Sequence, residues 1–96
     1  MYTKNELEIL INNHANTKVA MHGEIDANGQ YSGHIEGCST DELYAFVCYI
    51  AEARGEAFEK VDFRFGKQNP PTFTCYIQFD TNDIKPKKGF FSKLFG

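Results

Sequence analysis

Of all the side chains in this 96-residue chain, His22 and His34 have types and spacing best suited to chemistry. Each falls on a polar beat of a stretch in which apolar and polar residues alternate. A hairpin that opposed them would hold their Cβ atoms about 4.5–5.5 Å apart. Two imidazoles at that distance, with Glu24 or Glu36 on the same face, form a ligand set for a divalent metal. Strand spacing is not a metal motif, so the expectation is a surface pair, with no metal and no cofactor assigned. An acid–base role is weaker still, because a sheet face is flat rather than a cleft.

The other reactive groups are sparser. Cys38 precedes a helix start, where the helix dipole would lower a thiol pKa. No orienting group or oxyanion site accompanies it, so no catalytic residue and no enzyme is expected. Cys48 and Cys75 read as buried structural thiols. Asp26-Ala27-Asn28-Gly29 resembles the opening of a calcium loop, but the later ligands are missing, which leaves a hairpin turn. There is no glycine-rich phosphate loop and no serine nucleophile elbow.

Two helices and two hairpins would have to hold these groups. Thr3 and Glu6 have capping-box spacing, and Leu7, Leu10, Ile11 and His14 repeat at helical spacing, so Thr3–His14 is expected to be helical. Asn12, Asn13 and Asn16 should weaken its end. Thr17–Asp26 and Gln30–Gly37 read as a hairpin. A two-residue Asn28-Gly29 turn would place apolar residues of one strand beside polar residues of the other. A three-residue loop, Ala27-Asn28-Gly29, instead pairs Ile25 with Tyr31, Gly23 with Gly33 and Met21 with Ile35, and puts Gly29 in the left-handed position of a bulge. That register also opposes His22 to His34.

Ser39–Arg54 is the second helix. Ser39 and Glu42 are spaced as another capping box, Leu43, Phe46, Val47, Ile50 and Ala51 form the stripe, and Gly55 is the stop. Lys60–Phe65 and Thr72–Asp80 alternate as strands around the Asn69-Pro70-Pro71 loop. The order is αββαββ. The expected fold is α+β: a two-layer sandwich with a four-stranded, mainly antiparallel sheet and both helices on one face. The open face would then carry Lys18, His22, Glu24, Ser32, His34, Glu36, Lys60, Asp62, Arg64, Thr74, Tyr76 and Gln78. From it, His22, His34, Arg64, Tyr76 and Gln78 are the candidate partner-binding residues, Tyr and Arg being frequent interface anchors.

Charge divides the chain in two. Residues 1–84 contain all thirteen acids against six bases, whereas 85–96 hold four lysines and no acid. An acidic body repels phosphate, so direct binding of nucleic acid is not expected. Residues 1–84 form one domain, and 85–96 form a tail after an Asp80–Pro86 linker. Three cysteines at irregular spacing suit a reducing, cytoplasmic setting. The first ten residues lack the layout of a signal peptide, and no apolar run nears the roughly 20 residues that span a bilayer.

In the tail, Phe90, Phe91, Leu94 and Phe95 share one side of a short helix, with Lys87, Lys88 and Lys93 around it. The run Lys88-Gly89-Phe90-Phe91-Ser92-Lys93-Leu94-Phe95-Gly96, preceded by Lys87, resembles the C-terminal membrane-targeting sequence of the bacterial division-site ATPase MinD. The resemblance implies shallow insertion into the inner leaflet. It covers about ten residues, and without a nucleotide-binding loop nothing else of that family carries over. The tail could equally pack on its own domain or enter a protein groove. A single short helix binds membranes weakly, and dimerisation would strengthen it by avidity.

The expected function is therefore a non-enzymatic binding or regulatory module. It would engage a protein partner and be placed by its tail at an anionic membrane surface. One alternative is a phage- or bacteria-encoded inhibitor or immunity-type protein acting on a host enzyme or nucleic-acid-handling complex, by analogy of size and charge. A second is a metal-dependent protein using His22 and His34.

Overall fold

Residues 2–66 and 72–84 are described by the computed structural model. The Asn69-Pro70-Pro71 loop and the expected membrane-contact residues Lys87, Lys88, Phe90, Phe91, Lys93, Leu94 and Phe95 lie outside these described residues.

Thr3 starts the first helix, α1 (Lys4–Ala15). Its Oγ1 accepts from the Glu6 N–H at 3.1 Å, and Glu6 Oε1 accepts from the Thr3 N–H at 2.9 Å, closing the capping box in both directions. Leu7, Leu10 and Ile11 are fully buried. Of the three asparagines expected to weaken the end of this helix, Asn12 and Asn13 remain within it and Asn16 ends it. Asn12 turns its amide onto the next segment: Nδ2 donates to the Val19 carbonyl at 2.8 Å and Oδ1 accepts from the Val19 N–H at 2.9 Å. The helix runs on to Ala15 and ends at Asn16, which adopts the left-handed conformation.

The first hairpin has the predicted register. β1 (Ala20–Met21) and β2 (Glu24–Ile25) both pair antiparallel with β3 (Gln30–Gly37), with Met21 opposite Ile35 and Ile25 opposite Tyr31. Gly29 holds φ 85°, as the bulge requires. The first strand is not continuous, however; it breaks at His22–Gly23. The cause lies in the core. The buried Tyr31 ring packs against Gly23, where a side chain would collide with it, and its hydroxyl accepts from the Gly23 N–H at 2.8 Å while donating to the His34 carbonyl at 3.0 Å. A Cβ on Gly33 would overlap the Gly23 Cα, so only glycine allows the two backbones this approach.

α2 (Thr40–Arg54) buries Leu43, Phe46, Val47, Ile50 and Ala51, the predicted stripe. Cys48 follows Val47 by about 100° around the helix and is exposed, not buried as expected. Ser39 Oγ accepts from the Glu42 N–H at 3.1 Å, which is half of a capping box. The other half is absent, because the Glu42 carboxylate turns away to bind Cys38 and Lys18.

β4 (Asp62–Phe65) and β5 (Phe73–Asp80) form the second hairpin, and β5 inserts beside β3. The order across the sheet is β1–β3–β5–β4, with β2 continuing along β3, and every pairing is antiparallel. Five strand segments thus fill the four expected positions. β4 starts at Asp62 rather than Lys60. Phe58–Lys60 is a 3-10 turn that sets the Phe58 ring 5.7 Å from Tyr44 and 5.1 Å from Phe63. Lys60 is therefore off the sheet, as is Lys18, which precedes β1.

Both helices cover one face. Leu7, Leu10 and Ile11 from α1 and the α2 stripe join Met21, Tyr31, Ile35, Cys75, Ile77 and Phe79 in one cluster. Each large apolar side chain so buried contributes roughly 1.5–3 kcal/mol. The fold is thus an α+β sandwich of two helices on an antiparallel sheet. The chain after Asp80 is not a linker at first. Thr81–Asp83 forms another 3-10 turn, Thr81 and Ile84 are buried, and the Tyr2 hydroxyl donates to the Ile84 carbonyl at 2.7 Å.

Candidate functional site on the open sheet face

Alternation along β3, β4 and β5 sends every second side chain away from the helices, and the pairings stack these side chains into rows. One row crosses the whole sheet: His22 beside His34, His34 opposite Tyr76, and Tyr76 opposite Arg64. The row is in contact from end to end. The imidazoles stack with centroids 4.9 Å apart and planes 20° from parallel. Tyr76 lies 6.0 Å from the His34 ring, and the Arg64 guanidinium sits 4.8 Å over the Tyr76 ring. Such a cation–π contact at an exposed position is worth about 0.5–1 kcal/mol.

The next row holds Glu24, Ser32, Gln78 and Asp62. Of the predicted partner-binding residues, the structure brings His22, His34, Tyr76 and Arg64 into one line and puts Gln78 beside it. A depression of about 190 Å³ opens over Gly33, which has no side chain, and is walled by Ser32, Asp62, Arg64, Tyr76 and Gln78. Tyr76 remains 45% exposed, much as Tyr44 does at 43%.

Glu36 is two residues beyond His34 on the same face. Its two oxygens divide between the imidazoles, with His22 Nε2 at 3.4 Å and His34 Nε2 at 3.5 Å. Among the described residues, these three are the group of metal-capable side chains that converge, with one donor atom of each within 4.8 Å of the others. Glu24, the other carboxylate considered, belongs to the neighbouring row.

Cys38 turns out opposite to its sequence reading. Its Sγ donates to Glu42 Oε2 at 2.9 Å. That hydrogen bond and the carboxylate charge push the thiol pKa up rather than down. Glu42 is held low by the same thiol bond and by the backbone N–H groups of Cys38 and Lys18. Burial pushes Cys75 up to about 11, as suits an inert core thiol.

Two residues that organise the face were not evident in the sequence. Tyr31 read as an ordinary core aromatic; only the facing Gly23–Gly33 pair hinted that its hydroxyl could thread the sheet. Glu42 read as a helix cap, whereas it ties α2 to the segment entering β1. No protein-family model, no curated protein and no solved structure matches this chain, so its geometry alone carries the functional argument.

Proposed function

We propose that this protein is a non-enzymatic binding module whose open sheet face engages a protein partner. The observation that carries the reading is the continuous row His22–His34–Tyr76–Arg64 on the open face, exposed at His22, Tyr76 and Arg64 and half-buried at His34. Paired strands fix the backbone positions of His34, Tyr76 and Arg64, so binding need not reorganise the sheet. Tyr76 and the Arg64 guanidinium that ends the row are of the types that dominate binding energy once water is excluded around them. The ionisable groups here stand on an open surface, which suits recognition better than catalysis.

The tail completes the reading on sequence grounds. Lys87, Lys88 and Lys93 would attract an anionic cytoplasmic leaflet at about 1 kcal/mol each, while Phe90, Phe91, Leu94 and Phe95 bury apolar surface. Among the described residues no helix is long and apolar enough to cross a membrane.

The test is capture from the native cell with tagged full-length protein, run beside Arg64→Ala/Tyr76→Ala and, as a control, Lys60→Ala. A partner retained by wild type and K60A but depleted at least about tenfold by the double variant supports the reading. Identical capture by all three removes the sheet face from it.

A further inference from the structure

His22, His34 and Glu36 meet in a way that partner binding does not require. The rings are stacked so that both Nε2 atoms turn to the same carboxylate, one to each oxygen. Three features of the fold hold them there. The His22 N–H donates to the His34 carbonyl at 2.9 Å, fixing the two strands across the break. Tyr31 bridges Gly23 to that same carbonyl from the core side. His34 and Glu36 are separated by one residue of β3, whose backbone is paired on both sides.

We propose that His22, His34 and Glu36 form a surface site for a divalent transition-metal ion, Zn²⁺ foremost, with one coordination position left open. The donor set selects the class of ion. Two imidazole nitrogens and one carboxylate oxygen suit Zn²⁺, Ni²⁺ or Cu²⁺, whereas Mg²⁺ and Ca²⁺ require oxygen ligands. Bonds of about 2.0–2.1 Å in a tetrahedron place neighbouring ligand atoms about 3.3–3.4 Å apart. Each imidazole Nε2 has one Glu36 oxygen near that separation, at 3.4 and 3.5 Å, but the two oxygens differ. One donor atom of each residue lies within 4.8 Å of the others, so a turn of the carboxylate and of the partly exposed imidazoles brings a single oxygen and both nitrogens to one ion.

Bound metal would replace the shared carboxylate contacts with three bonds to one ion, and the open position would take water or a donor from another molecule. The inference stands apart from the partner reading, because metal alone is its probe.

The experiment is calorimetric titration of the full chain, reduced, with ZnCl2 and separately NiCl2. The expected result is one ion per chain with a dissociation constant in the micromolar range. His22→Ala and His34→Ala should each weaken binding at least about tenfold, and Glu36→Gln should weaken it while Glu24→Gln does not. The imidazoles are partly exposed, at 44% and 37%, so the metal-free melting temperature of each alanine variant should stay close to wild type. Metal should raise the melting temperature of wild type and not of the His22→Ala/His34→Ala double variant. Cobalt substitution supplies a second readout: ligand-field bands without a thiolate-to-cobalt charge-transfer band. Absence of saturable binding up to about 1 mM metal, full binding by the double histidine variant, or a thiolate band that assigns the ion to cysteine would each overturn the site.

Discussion

The Tyr31 hydroxyl joins the core to the open sheet face. The ring is fully buried against Phe79, and its oxygen serves the backbone at the point where the first strand breaks. Burial pushes its pKa up, so it remains a neutral hydroxyl able both to accept and to donate. Tyr31→Phe keeps the ring and removes only the oxygen. The Gly23 N–H, on a buried residue, then loses its partner, at a cost of about 1–3 kcal/mol. The expected outcome is a lower urea midpoint with an unchanged denaturant slope, since no additional surface is exposed. A midpoint equal to wild type would mean that water replaces the hydroxyl. The sequence shows two glycines at opposed positions but not that the Tyr31 ring packs against one of them. Binary patterning sorts Tyr31 to the inside and is blind to where its hydroxyl ends, because that depends on the backbone approach of a residue eight positions earlier.

Glu42 shows why whole elements were easier to read than their junctions. The hairpin register was legible because a slip of one residue would turn an entire apolar set to solvent, and only one loop length avoids that. Both helix stripes were legible for the same reason. The second capping box was legible only in part. Ser39 caps as its spacing implies, but Glu42 had a choice of orphan N–H groups, and tertiary structure offered Cys38 and Lys18. The start of β4 was misread because alternation from Lys60 onward is equally compatible with a 3-10 turn that seats Phe58 among aromatics. Glu42→Gln tests the junction. The folded-state pKa of Glu42 lies below its ordinary value through its hydrogen bonds to the Cys38 thiol and to the Cys38 and Lys18 N–H groups. Its contribution is therefore full above the ordinary glutamate range and fades as acid protonates the folded-state carboxylate. The variant should be less stable than wild type by about 1 kcal/mol near neutral pH, after allowance for solvent screening. The two stability curves should converge as pH falls below about 4. A gap that stays constant from neutral to acid would show that the carboxylate charge is not what ties α2 to the approach to β1.

The end of the described chain belongs to the domain and decides where the tail can be separated from it. Thr81 and Asn82 reach back to the first hairpin: the Thr81 N–H and hydroxyl both donate to the Gly29 carbonyl, and Asn82 Nδ2 donates to the Asn28 carbonyl at 2.9 Å. Ile84 fills the core, and Tyr2 hydrogen-bonds its carbonyl, so the segment after β5 closes onto both the hairpin loop and the start of α1. A chain truncated after Lys85 keeps all of these contacts and should match full-length protein in urea midpoint. A chain truncated after Asp80 loses Ile84 and the bonds to the turn, and should be destabilised by at least about 3 kcal/mol. The same pair separates folding from membrane docking. On vesicles rich in phosphatidylserine, full-length protein should co-sediment and the chain ending at Lys85 should stay in solution, although it is folded. Equal sedimentation of the two would remove the tail from membrane binding. Loss of stability on truncation after Lys85 would show instead that Phe90, Phe91, Leu94 and Phe95 pack on the domain that carries them.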